Sequence, residues 1–176
     1  MTRELLSCTL RGAASTRALG AALGRCLSPG DVLALVGPLG AGKTTLVQGF
    51  AAARGLPPTI PVQSPTFTIC NELPTDPPLL HVDLYRLSSL SEAEDIGLDD
   101  RLCDGRTLAV VEWAELLPAL LPGTALWLRL EHGGDTRRVV VGERDGGPLD
   151  WLVDATGDLE WIATNEPAPW EASSSP

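Results

Sequence analysis

The sequence predicts an α/β fold, a three-layer sandwich whose mostly parallel central sheet carries antiparallel hairpin additions. Three observations predict it. Val32-Leu33-Ala34-Leu35-Val36 is apolar without alternation, as a strand buried on both faces of a parallel sheet must be. It runs directly into Gly37-Pro38-Leu39-Gly40-Ala41-Gly42-Lys43-Thr44 and then a helical pattern, Thr45-Leu46-Val47-Gln48-Gly49-Phe50. Finally, Thr124–Leu130 and Arg137–Val141 flank the polar turn His132-Gly133-Gly134-Asp135, the mark of an antiparallel hairpin. The strand, glycine loop and helix make the sandwich P-loop NTPase-like.

In chain order, Glu4 to Leu10 alternates with Leu6, Cys8 and Leu10 on one face, predicting a half-buried strand. A helix follows, with Ser15 or Thr16 as cap, Leu19, Ala22, Leu23, Cys26 and Leu27 on one face, and Ser28-Pro29-Gly30 as stop. The helix after the glycine loop keeps Leu46, Val47, Phe50 and Ala51 on one side and ends near Arg54, ahead of Gly55. Ile60 to Glu72 holds a turn leading into a strand. With Leu79–Leu84 across the turn Thr75-Asp76-Pro77-Pro78 it forms a candidate hairpin. Ser91 and Glu94 have capping-box spacing for a short acidic helix toward Gly97. Thr107–Val111 is a second wholly apolar strand, ending in Glu112-Trp113, and Leu116–Leu121 and Leu149–Ala155 are short helical segments. Residues 1–164 read as one domain, and 165–176, rich in Pro, Ser and Glu, as a disordered tail.

The loop residues have separable physical jobs. Glycines let successive N–H groups point at phosphate oxygens, and the helix starting near Lys43 adds its positive dipole end. Lys43 can span β- and γ-phosphates, while the Thr44 hydroxyl can complete a Mg²⁺ shell. Gly37 through Thr45 are thus candidate nucleotide contacts, with a nucleoside triphosphate and Mg²⁺ as the expected ligands. Lys43 is the only lysine, against twelve arginines. A compact ammonium is not equivalent to a planar guanidinium, and this loop is where the difference matters.

The 176 residues carry a net charge of −10, which repels phosphate backbones and leaves no footprint for direct RNA binding. If the protein works on a nucleic-acid pathway, it is expected to do so through protein partners. No apolar stretch is long enough to span a bilayer and the N-terminus lacks signal-peptide form, so the expected setting is soluble and cytoplasmic. Cys8, Cys26, Cys70 and Cys103 are irregularly spaced and read as buried free thiols.

Carboxylates at the C-terminal ends of such strands face the bound phosphates. Asp83 and Glu112 fit, as metal ligand, water-positioning group or base, and compete with a reading as ordinary strand-end acids. Arg86 can neutralise γ-phosphate charge or pair with an acid between Glu92 and Asp95. Ser64 and Thr66 can sense a γ-phosphate or form a plain turn. Trp113 can pack in the core or wall the site, and His81 reads as a packed strand residue.

Several blocks together resemble one family. Gly37 to Thr45, Ser64-Pro65-Thr66-Phe67-Thr68, His81-Val82-Asp83-Leu84-Tyr85-Arg86-Leu87, Glu94-Asp95-Ile96-Gly97 and Val111-Glu112-Trp113 stand in the order and approximate spacing of the TsaE (YjeE) family. The resemblance spans roughly residues 4 to 142. It implies a small ATPase acting with TsaD and TsaB in making threonylcarbamoyladenosine on tRNA, touching the tRNA only through that complex. It also implies Thr44, Asp83 and Glu112 as Mg²⁺ and water-positioning groups, Ser15 or Thr16 near the adenine, and the hairpin at Gly134 near the nucleotide. Two other readings compete. A small-molecule kinase needs a basic lid, and Ser88–Asp100 is acidic. A GTP-controlled module commonly needs Asn-Lys-x-Asp, and a single lysine at 43 excludes it.

Overall fold

The structure is a computed structural model that describes residues 5–143, 145, 147 and 149–171. Its elements are β1 (Leu5–Arg11), α1 (Gly12–Cys26), β2 (Val32–Val36), α2 (Lys43–Ala53), β3 (Cys70–Leu73), β4 (Leu79–Asp83), α3 (Leu90–Asp95), α4 (Leu98–Cys103), β5 (Leu108–Glu112), β6 (Leu126–Gly133), β7 (Thr136–Glu143), α5 (Asp150–Ala155) and β8 (Ile162–Ala163). All eight strands join one sheet in the order β3-β4-β5-β2-β6-β7-β1-β8.

The expectation of a mostly parallel sheet is corrected. Neighbours β4, β5, β2 and β6 are parallel, but β3–β4, β6–β7, β7–β1 and β1–β8 are antiparallel, four pairings against three. Parallel neighbours need long crossovers, and only the middle four strands have them. Elsewhere, short reversals return the chain beside itself in β3–β4 and in β6–β7, where the turn is Gly134-Asp135, and β1 pairs with the distant strands β7 and β8.

Apolar side chains divide between the two faces of the sheet. One face packs under α1, α2 and α5, and the other under α3, α4 and the segment from Ala114 to Leu121. Helices thus cover both faces and β2, buried at every residue, lies at the centre. Helices α1 and α2 meet through glycines. A Cβ at Gly20 would overlap the Leu46 carbonyl oxygen, and one at Gly49 that of Arg17. This backbone-to-backbone approach holds the start of α2, and so the loop before it, against α1.

Several local expectations shift. Helix α1 starts at Gly12, so Ser15 and Thr16 lie inside it and donate back to the carbonyls of Arg11 and Gly12, at 2.8 and 3.2 Å. The cap of α3 is Ser89 rather than Ser91, its hydroxyl accepting from the Glu92 N–H at 3.2 Å. The stretch from Ile60 is irregular up to Cys70, where β3 begins. Leu116–Leu121 forms two 3₁₀ turns rather than one helix. All four cysteines are free, but only Cys8 is buried.

The segment from 165 to 171, expected to be disordered, packs on the sheet. Trp170 is buried edge-on against Trp127, ring centroids 6.1 Å apart, and Arg129 donates to the Pro167 carbonyl at 2.9 Å and to Glu166 at 3.2 Å. Residues 172–176 lie outside the described residues.

Candidate functional site

The loop from Gly37 to Gly42 leaves the end of β2, where the sheet ends and the first turn of α2 begins. Two of its glycines are required by shape. Gly37 (φ 139°) is buried so tightly that a Cβ would overlap the Leu130 carbonyl oxygen, and Gly42 caps α2 in the left-handed region (φ 106°) beside Arg137. Ala41 is buried, while Pro38, Leu39 and Gly40 form an exposed crest.

Lys43 is only 5% exposed. Its ammonium donates to the carbonyls of Gly37 and Pro38, the latter at 3.1 Å, and lies 3.9 Å from the centroid of the Trp113 ring. Burial pulls the Lys43 pKa below its ordinary value, and the charges of Glu112, Glu115 and Asp83 oppose that shift. A buried cation is costly unless paired. The three carboxylates and the ring face explain how this one is tolerated.

Thr44, one residue on, donates its hydroxyl to Glu112 at 3.0 and 3.1 Å. Glu112 ends β5, is buried, and also accepts from the imidazole of His81 at 2.8 Å. Asp83 stands opposite Glu112 in the β4–β5 register. Its carboxylate accepts from the hydroxyls of Ser64 and Thr66, the latter at 2.7 Å, and from the Tyr85 N–H at 2.9 Å. The two acids are therefore employed differently. Glu112 is joined to the phosphate loop, and Asp83 organises the loop from Ser64 to Thr68.

Trp113 adopts φ 58°, unusual for a bulky residue, and so covers Lys43 on one side while its ring lies 5.0 Å from that of Tyr85. It also packs, partly buried, against the core on the α3–α4 face, so the ring touches both the core and Lys43. Glu115 accepts from the Gly37 N–H at 3.3 Å, and its burial pushes its carboxyl above the usual carboxylate range.

On the other flank, Thr16 faces Gly42, and Arg137 donates to the Ala41 carbonyl at 3.1 Å. The hairpin turn at Gly134 meets the start of α1, Gly12 N–H donating to the Asp135 carbonyl at 3.2 Å. Thr45 is half-buried in the first turn of α2. The structure thus gathers Thr16, Gly37 to Thr44, Thr66, Asp83, Glu112 and Trp113 about one loop. Ser15 instead turns to its own helix, and exposed Arg86 lies over the Phe67 ring, 5.1 Å from its centroid, rather than beside the acids of α3.

Three neighbours escaped the sequence reading: the His81–Glu112 contact, Glu115 and Arg137. His81 and Asp83 are two apart on one strand and so share a face, a signal that was there to be read. Arg137 had no such signal, since only the β6–β7 register brings it to the loop.

Among the described residues no cluster of three or more His, Cys, Asp or Glu side chains forms a metal cage. A hydroxyl and one carboxylate held together, as at Thr44 and Glu112, suit Mg²⁺, which keeps waters and takes phosphate oxygens for its other positions. The donor set fits that ion.

Fold and site together define an α/β protein of the P-loop type. A family model described as threonylcarbamoyl adenosine biosynthesis protein TsaE matches residues 10–140. The protein named tRNA threonylcarbamoyladenosine biosynthesis protein TsaE in Streptomyces coelicolor is 45% identical over 159 residues, covering 84% of this chain and 99% of that one. Its namesake in Bacillus subtilis is 39% identical over 140 residues, 79% of this chain and 85% of that one. The crystal structure of Bacillus subtilis YdiB superposes with a TM-score of 0.72 at 31% identity, covering 90% of this chain and 97% of that one. The chain belongs to the TsaE family.

Proposed function

We propose that this protein is a Mg²⁺-dependent ATPase that supports formation of threonylcarbamoyladenosine on tRNA. ATP binds at Gly37–Thr44, and the protein acts through TsaD and TsaB proteins rather than on tRNA directly. The pathway rests on family membership, and the ligand on the site. One observation carries the reading: Thr44 of the loop and Glu112 at the end of the neighbouring strand are hydrogen-bonded at 3.0 Å. A hydroxyl and a buried acid brought together beside a phosphate loop are the pair a nucleotide-bound Mg²⁺ requires.

The chain's own groups divide the work. Loop amides and the start of α2 hold the phosphates, and Lys43 supplies the positive charge. Glu112 and Thr44 would hold Mg²⁺, which when bound screens phosphate charge as it builds. Glu112 also orients the attacking water, and Asp83 fixes the 64–68 loop over the site through Ser64 and Thr66. Arg86 is exposed and stacked on Phe67, so the site has no arginine engaged from that side. Turnover alone is therefore slow and partners raise it. The proposed setting is the cytoplasm, and no helix among the described residues is long and apolar enough to cross a membrane.

The test is ATP hydrolysis by the purified protein, with and without TsaD and TsaB, beside Lys43→Ala and Glu112→Ala. Expected are slow basal turnover, stimulation by the partners, and roughly a 10²-fold loss or more in each variant. Rapid hydrolysis that partners leave unchanged would refute the proposal, and transfer of the γ-phosphate to a metabolite would favour a kinase.

A further inference from the structure

We infer that His81 is a positioning residue that fixes the Glu112 carboxylate, so that metal binding and water orientation at this site depend on an imidazole that itself touches neither. The inference rests on the ATPase reading for its consequence, but not for its geometry. His81 is fully buried in the middle of β4, between Leu80 and Val82, which point to the opposite face. Its Nε2 lies 2.8 Å from Glu112 Oε1, and its Nδ1 has no hydrogen-bond partner among the described residues. A buried polar ring with one partner is held there by that partner. Because a carboxylate accepts, the ring hydrogen sits on Nε2 and the bare atom is Nδ1, a lone pair in place of an orphaned donor.

The arrangement divides the carboxylate. Oε1 takes the imidazole and shares the Thr44 hydroxyl, at 3.0 Å, while among the described residues Oε2 has that shared hydroxyl alone, at 3.1 Å. A carboxylate on a flexible Glu side chain would otherwise rotate, and a fixed Nε2–H holds its plane. Outer-shell donors of this kind typically change metal affinity or activity about 10–100-fold when removed. Packing alone does not account for the residue. A leucine would fill the same place in a strand that is otherwise apolar up to Asp83, without introducing a polar atom to satisfy.

The experiment compares wild type, His81→Leu and His81→Gln, the last placing an amide donor at similar reach. Nitrogen-15 NMR of the imidazole in wild type and Glu112→Gln reads the tautomer. ATP affinity is titrated with and without Mg²⁺, and kcat and KM are measured separately. Expected are an Nε2–H tautomer whose signal moves in Glu112→Gln, and a Leu variant with Mg²⁺-free ATP affinity within about twofold of wild type. In that variant the Mg²⁺ requirement rises and kcat falls roughly 10–100-fold, and the Gln variant recovers most of both. An Nδ1–H tautomer, an unchanged Mg²⁺ requirement in the Leu variant, or equal losses with and without Mg²⁺ that track a fall in melting temperature would each overturn the inference. Wild type that bound no ATP would instead refute the ATPase reading, and the tautomer would still decide the anchor.

Discussion

At the scale of the residue, the site turns on how buried charges are shared. Lys43 is the chain's single lysine, and three acids and an aromatic face surround it where burial alone would strip its proton more readily. Lys43 and Thr44 were legible because their pattern is local. The distinction between Asp83 and Glu112 was not, since both end apolar strands. Only the tertiary hydrogen bonds, three donors to one and a loop threonine plus a histidine to the other, separate them. The cysteines differ in the same way. Burial raises the Cys8 thiol to about 12, so it stays protonated and protected, whereas Cys26 is exposed. Alkylation at about pH 8 should therefore modify Cys26 well before Cys8 in the folded protein, read by peptide mass, because the thiolate is the reactive form. Equal rates would show that Cys8 is not buried as described.

At the scale of the element, the glycine loop is held from two sides. Helix α1 presses on α2 through Gly20, Gly24 and Gly49, and the β6–β7 hairpin brings Arg137 to Ala41. Gly49→Ala puts a methyl group into the Arg17 carbonyl and should cost about 1–3 kcal/mol, measured by urea denaturation. A neutral or stabilising result, as expected for alanine in a free helix, would mean that the two helices are not in backbone contact. The helices α1 and α2 were readable from periodicity, and the strand β2 from an apolar run without alternation. The helix caps were misplaced, because Ser and Thr satisfy capping spacing at several positions and only backbone geometry chooses among them. Ser15 and Thr16 spend their hydroxyls on the preceding turn, and Ser89, two residues before Ser91, takes the cap of α3.

At the scale of the molecule, the four parallel strands that carry the loop, Asp83 and Glu112 are a minority of the pairings in a sheet extended by hairpins. Apolar runs without alternation gave away the buried centre. Antiparallel pairings outnumber parallel ones because β1 also joins β7 and β8, segments far apart in sequence, which no local pattern announces. The same holds for the end of the chain. A composition of Pro, Ser and Glu reads as disorder, but Trp170 finds Trp127 across the sheet and Glu166 finds Arg129 and Arg138. With a net charge of −10, the whole molecule should meet tRNA only through partners.

The central claim is that Gly37–Thr44 holds ATP. Equilibrium titration of ATP into wild type and Lys43→Ala, with Mg²⁺ present and both proteins shown to be folded, tests it most directly. The account predicts that the variant loses affinity at least roughly tenfold, about 1.4 kcal/mol or more. Full affinity in Lys43→Ala would contradict it.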